Sequence, residues 1–158
     1  MDPLPTPEQI IAQLAAQGVR LPPGRVHVDG YGDSPALSQA LLALIRDGQK
    51  RAGTGLLWGH EHEQLGWAEP GDIEVIVDHL NRPSVIARTL SVEIKAFCDV
   101  DAAYAATEGE GDGSLAYWRE VHWDYFSREC ARIGRTPSER MPVVCSIFEV
   151  LDVLPQAD

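Results

Sequence analysis

Lys50 stands where the chain passes from an amphipathic stretch ending at Gly48 into an apolar one opening at Ala52. A lysine held by such a helix–strand junction can point into a pocket and stabilise negative charge developing on a phosphate or carbonyl oxygen. The bland alternative is a solvated lysine in a surface turn. Glu108 is the second candidate, because it falls in the last turn of an expected helix and is followed by Gly109. A carboxylate there opposes the negative end of the macrodipole at a cost of about 0.3–1 kcal/mol, so folding gains nothing from it. Poorly solvated, it would have a raised pKa and could move a proton as general acid or base. Well hydrated, it is an ordinary surface glutamate.

Other chemistry-bearing patterns are weaker. Glu108-Gly109-Glu110-Gly111-Asp112-Gly113 alternates carboxylates with glycines like a calcium loop, but the twelfth position is Arg119 where a bidentate glutamate is needed. It reads better as a flexible acidic loop. His60-Glu61-His62-Glu63 lacks HExxH spacing, since Gln64 occupies the place of the second histidine. It reads as a solvated loop without a third ligand, and no metal or other cofactor is expected. Cys98, Cys130 and Cys145 are too scattered for a disulfide framework or a CxxC site, and read as reduced residues of a cytoplasmic protein. Among the aromatic residues, Trp118 and Tyr125 follow helical spacing with Leu115, Val121 and Ile133 and are expected in a core. Trp58, at the open end of a strand, is the better platform for stacking on a base.

The elements that must position these residues follow from caps and periodicity. Thr6-Pro7 starts a helix running to about Gln17, with Ile10, Ile11, Leu14 and Ala15 on one face. Residues 18–33 are rich in Gly and Pro and read as an irregular linker. Ser34-Pro35 starts a second helix, expected to bury Leu37, Leu41, Leu44 and Ile45 and to stop at Gly48. Strands are expected over Ala52–Trp58, Ile73–Val77 and Ser84–Phe97, with a polar loop at His60–Glu69 and a turn at Asn81-Arg82-Pro83. Helices follow over Asp101–Glu108 and Ser114–Ile133, and a last strand begins near Met141. This order predicts an α+β domain, a small β-barrel or strongly curved sheet flanked by helices. The organisation is an N-terminal helix and linker over 1–30, a main domain over 31–153 and a tail over 154–158.

The 158 residues carry a net charge of −11 and are 44% hydrophobic, a composition suited to one globular domain. Nonspecific nucleic-acid affinity depends on neutralising phosphates, so this surface should repel a long double-stranded polyanion. Positive charge gathers late, at Arg128, Arg132, Arg135 and Arg140, which leaves room for a footprint on a few nucleotides. The acidic run from Asp99 to Asp112 suggests, more weakly, a docking surface for a basic protein. No apolar run reaches the ~20 residues of a membrane helix, and the first residues lack the pattern of a signal peptide.

An ordered series of short motifs resembles the ASCH domain, a family with a PUA-like β-barrel. It comprises Tyr31-Gly32-Asp33-Ser34-Pro35, Gly48-Gln49-Lys50, Leu56-Leu57-Trp58, Pro70-Gly71-Asp72, the acidic–glycine run from Glu108, Ser114-Leu115-Ala116-Tyr117-Trp118 and Met141-Pro142-Val143-Val144-Cys145. The resemblance implies a cleft lined by Lys50 and a link to RNA or modified nucleosides. Members act as RNA-binding modules, ribonucleases or amidohydrolases that remove the acyl group of N4-acetylcytidine. In the last type a lysine, a threonine three residues later and a glutamate form the site. Lys50 and Glu108 match, whereas residue 53 is glycine and the hydroxyl stands at Thr54. In a regular strand Lys50 and Thr54 share a face, so a small backbone irregularity decides whether Thr54 can substitute. The implied reading is a metal-independent hydrolase using Lys50, Glu108 and Thr54 on short single-stranded RNA or a small nucleoside-like ligand. Asp33, Ser34, Trp58, Arg88, Ser114 and Tyr117 would line the ligand site. The alternative is a non-catalytic module binding RNA or a nucleotide.

Overall fold

The computed structural model describes residues 2–156, so Met1 and the end of the expected tail, Ala157 and Asp158, lie outside the described residues. The chain forms helices α1 (Pro7–Ala16), α2 (Pro35–Arg46), α3 (Leu57–His62), α4 (Ala102–Glu108) and α5 (Leu115–Ile133). Strands are β1 (Val26–Gly30), β2 (Ala52–Leu56), β3 (Ile73–Val77), β4 (Pro83–Ala96) and β5 (Pro142–Val153), in one sheet of order β1-β3-β4-β5-β2. The α+β class expected from the sequence is the class observed. The residues fall into two compact units, one built from the chain up to Gly48, Ala68–Leu90 and the chain from Phe148 onward, the other from Gln49–Trp67 and Ser91–Ile147.

In the first unit β3 is buried along its whole length, and its two faces serve two cores. Ile73, Val75 and Val77 meet Ile10 and Leu14 of α1, together with Ile86 and Leu154. Ile76 faces the other way, into Leu42 and Ile45 of α2 with Val85, Ala87 and Phe148. This is the two-residue alternation of a strand covered on both sides. Thr6 and Gln9 close α1 with a capping box, and the Ser34 side chain accepts from the Leu37 N–H to start α2.

Three expectations fail in this unit. The stretch over 18–33 is not all irregular, because Val26–Gly30 pairs in parallel with Ile73–Val77. Its alternating Val26 and Val28 carry the strand pattern, but the pairing that fixes it lies far along the chain. On α2 the buried stripe is Ser38, Leu42 and Ile45, one residue round from the expected face, while Leu37, Leu41 and Leu44 are half-buried. Leucines cover so much of that helix that periodicity alone leaves the face undetermined; the sheet chooses it. The expected tail is anchored at its start, where Leu154 is buried and donates its N–H to the Ser84 carbonyl.

In the second unit β2 pairs antiparallel with β5, from Ala52↔Ile147 to Leu56↔Val143. Leu56, Phe97, Tyr104, Trp118, Phe126 and Met141 form its core, and burying a side chain such as Phe126 contributes about 1.5–3 kcal/mol. The second strand ends at Leu56, short of the expected Trp58, and Leu57–His62 turns into α3. His60 and His62 therefore belong to a helix rather than a loop or strand end, and the His60 ring meets Trp67 edge-on at 6.0 Å. Helices α4 and α5 begin at Asp101 and Ser114 caps and end at the left-handed glycines Gly109 and Gly134.

Candidate active site

Lys50 and Glu108 are brought together by hydrogen bonds between the residues that precede β2 and the end of α4. The Arg51 N–H donates to the Thr107 carbonyl at 3.0 Å, and the Gln49 amide Nε2 donates to the Gly109 carbonyl at 2.8 Å. Between these two clamps the Lys50 side chain turns inward and is 1% exposed. Its Nζ donates to the Ala52 carbonyl at 2.8 Å, Glu108 Oε1 at 3.0 Å and Glu110 Oε2 at 3.2 Å. Three acceptors use the three N–H donors of an ammonium group.

Glu108 is equally enclosed. Its Oε1 accepts from Lys50 and from His122 Nε2 at 3.0 Å, and its Oε2 accepts from Thr54 Oγ1 at 2.8 Å and Trp118 Nε1 at 2.6 Å. A carboxylate offers about four lone-pair positions, and four donors converge on this one. Burial alone would raise its pKa, as the sequence argument expected. Lys50 and His122 outweigh burial and hold it well below the usual carboxylate range. Glu108 is thus an ionised anchor, which corrects its reading as an acid with a raised pKa.

The sequence reading left out two members of the cluster. His122, on α5, directs Nδ1 at the Trp118 carbonyl at 2.8 Å and Nε2 at Glu108. Both partners only accept, so both ring nitrogens carry protons. Burial disfavours that charge, but the Glu108 carboxylate outweighs it and raises the histidine's pKa. Its ring stacks on Trp118 with centroids 4.2 Å apart. Glu110 turns inward from the glycine-rich loop instead of waving in solvent as the flexible-loop reading expected, because Lys50 takes hold of it. Its side chain keeps 13% exposure against 1% for that of Lys50. Burial raises the Glu110 pKa, Glu108 adds to the rise, and Lys50 opposes it without cancelling it. The signal for both residues was present: a histidine four residues after Trp118 on one helix face, and a second carboxylate two residues after the first.

Thr54 is where the backbone had to decide. Its hydroxyl reaches Glu108 Oε2 and lies 3.0 Å from the Tyr104 hydroxyl, while Tyr104 also donates to the Gly53 carbonyl at 2.8 Å. Gly53 carries no side chain, and the hydroxyl one position later joins the lysine and the glutamate. Glu108, Glu110 and His122 bring three possible metal-ligand atoms within 4.8 Å of one another. A metal there would have to displace the Lys50 ammonium from both carboxylates and a proton from His122.

The remaining expected ligand residues are not part of this cluster. Asp33 and Ser34 belong to the first unit, Asp33 exposed and Ser34 spent as the α2 cap. Arg88, also of the first unit, pairs with Glu149 at 3.2 Å. Trp58 is on α3 rather than at an open strand end, with the Arg135 guanidinium 4.6 Å from its ring centre. Ser114 caps α5, and the exposed Tyr117 ring lies over Gly111, where an added Cβ would come within 2.4 Å of it. The late arginines are largely engaged: Arg132 with Glu63 and Glu129, Arg128 with Asp124.

Residues 27–152 match the family model described as the ASCH domain. The chain belongs to the ASCH domain family. Its fold is similar to an ASCH domain from Lactobacillus crispatus, with 28% identity, a TM-score of 0.74, and 90% of this chain and 89% of that one covered. It is similar to protein EF3133 from Enterococcus faecalis, with 29% identity, a TM-score of 0.74, and 90% and 85% covered. No curated protein matches the chain. The PUA-like fold implied by the motif series is therefore that of this ASCH domain. Among the described residues no helix is long and apolar enough to cross a membrane.

Proposed function

We propose that this ASCH domain is a hydrolase that removes an acyl group from the amide nitrogen of a small nucleoside-like ligand, with Thr54 as nucleophile. One observation carries the reading: the Thr54 hydroxyl donates to the same carboxylate that Lys50 holds from its other oxygen. Thr54 is half-buried, and so less enclosed than the Lys50 and Glu108 behind it. A nucleophile within hydrogen-bond reach of its base, with that base oriented by a third group, is the arrangement acyl transfer needs. The Lys50 charge lies behind it and favours the oxyanion of a tetrahedral intermediate through its field, its N–H groups being occupied. The net charge of −11 and the ion-paired arginines favour a small ligand over an RNA strand.

The near-complete burial of Lys50 and Glu108 favours a second reading, in which the cluster braces a nucleoside- or RNA-binding surface without turnover. Mass-spectrometric turnover of N4-acetylcytidine, with a short single-stranded RNA alongside, separates the two. Wild type should release cytidine and acetate, Thr54→Ser should retain activity, and Thr54→Val should lose on the order of 10³-fold. Saturable binding without product by folded wild type would establish the second reading. Full activity in Thr54→Val would remove Thr54 from the mechanism.

A further inference from the structure

We infer that Tyr104 is a catalytic residue of the second half-reaction, its hydroxyl donating a hydrogen bond to the Thr54 oxygen as that oxygen leaves the acyl group. The inference rests on the hydrolase reading and adds a residue to it. Tyr104 and Glu108 stand four residues apart on α4, so they share one face of the helix. That face delivers both to the same hydroxyl, with Glu108 Oε2 2.8 Å and the Tyr104 hydroxyl 3.0 Å from Thr54 Oγ1. Tyr104 is 8% exposed, its ring stands edge-on to Trp118, and the Asp101 side chain accepts from its N–H at 2.8 Å. The phenol is therefore held in place beside the nucleophile.

Three contacts share two hydroxyl hydrogens: Thr54 with Glu108, Thr54 with Tyr104, and Tyr104 with the Gly53 carbonyl at 2.8 Å. A carboxylate is the strongest of these acceptors, so the Thr54 hydrogen goes to Glu108. The Tyr104 hydrogen is left with two acceptors in reach, and while Thr54 is a neutral hydroxyl the shorter contact, to Gly53, holds it. In acylation Thr54 Oγ1 bonds to the acyl carbon and its proton passes along the existing hydrogen bond to Glu108 Oε2. The carbon–nitrogen bond then breaks and the nitrogen takes up that proton. Thr54 is now an ester, and Oε2 has lost one donor. In deacylation the oxygen of water bonds to the acyl carbon and a proton from water goes to the vacated position on Oε2. The bond from carbon to Oγ1 breaks, the electron pair stays on Oγ1, and the proton on Glu108 returns to it. A hydrogen bond donated to Oγ1 weakens it as the attacking group but favours it as the leaving one. Hydrogen bonds to a charged acceptor are roughly twice as strong as neutral ones, so the Tyr104 hydrogen turns from Gly53 to the departing oxygen. Tyr104 lends this hydrogen and keeps it.

The test measures the two half-reactions separately. Acetylation by p-nitrophenyl acetate is followed by release of p-nitrophenolate, deacetylation by intact-protein mass, and peptide mass spectrometry places the acetyl group on Thr54. In Tyr104→Phe the first-turnover release should stay within about threefold of wild type, whereas hydrolysis of the acetyl-enzyme should slow at least ~10-fold. The variant should therefore accumulate protein acetylated on Thr54. Losses of similar size in both half-reactions would make Tyr104 a residue that merely positions Thr54, and an unchanged deacetylation rate would leave it no role. Either result overturns the inference and leaves the hydrolase reading intact. Folded wild type that neither acetylates Thr54 nor turns over N4-acetylcytidine would overturn the hydrolase reading and the inference with it. If Tyr104→Phe fails to fold, a ring-fluorinated tyrosine placed at position 104 keeps the shape and strengthens the donor. Its acetyl-enzyme should hydrolyse faster than that of wild type, and an equal or slower rate would overturn the inference.

Discussion

Burying an ionised carboxylate costs several kcal/mol even after relaxation, and Glu108 is 1% exposed. Hydrogen bonds to a charged group return about 1.5–3 kcal/mol each, so this anion is tolerable only because several donors act together. Trp118→Phe removes one of them and keeps most of the ring that packs on Phe97 and His122. It should destabilise the protein by about 1.5–3 kcal/mol in urea unfolding; a loss under about 0.5 kcal/mol would mean the remaining donors suffice. The expectation of a raised Glu108 pKa failed for a physical reason. The sequence reading weighed the helix terminus and burial, which are local, and missed His122, 14 residues away, and the pairing with Lys50 across 58 residues. Lys50 and Glu108 stood out by type and position and Thr54 through the family resemblance, and the fold brings the three side chains together. Glu110 and His122 carried only the faint signal of their spacing from Glu108 and Trp118, because their contacts exist only once α4, α5 and the segment before β2 converge.

The element that makes this convergence possible is the end of α4. Gly109 adopts φ +68, and a Cβ there would lie 2.2 Å from the Gln49 carbonyl oxygen, which is backbone and has no rotamer to yield. Gly113 also has a left-handed φ, +76, but a Cβ there meets nothing within 4 Å. Gly113→Ala should therefore cost only the conformational penalty, about 1–2 kcal/mol. Gly109→Ala should cost clearly more and prise Glu108 from Lys50, with turnover falling at least ~10-fold. Thermal melts and turnover of the two variants check this, and equal costs would show that the close approach to Gln49 is not needed. The helix starts expected at Thr6, Ser34, Asp101 and Ser114 coincide with the observed N-caps because a helix start is settled within a few residues. The first strand and α3 were misread because tertiary packing overrode local preference, a parallel pairing to β3 in one case and a seat against α5, with Gly59 close to Glu129, in the other.

For the molecule as a whole, these buried charges predict how stability follows pH. Glu108 has a depressed pKa, so its contribution is present above the unfolded glutamate value and lost as pH falls through the folded one. His122 has a raised pKa, so its contribution is complete below the unfolded histidine value and lost as pH rises through the folded one. A further slope, across neutrality, comes from the first unit. Glu74 is 3% exposed, accepts from Thr89 at 3.0 Å through one oxygen, and leaves the other buried without a partner. Burial, reinforced by Asp29 and Asp72, pushes its pKa from 4.5 up to about 8. Between those values the folded chain binds more protons than the unfolded one, so stability falls steadily as pH rises. The melting temperature should therefore be highest on the acid side of neutrality and drop toward pH 9. Glu74→Gln, which keeps the shape and cannot ionise, should flatten the slope between about pH 5 and 8 and raise the melting temperature above it. The exposed Glu120→Gln changes net charge equally, so it controls for general self-repulsion of an acidic protein. Matching slopes in Glu74→Gln and Glu120→Gln would show that self-repulsion, not the buried carboxyl, sets the alkaline limit of this fold.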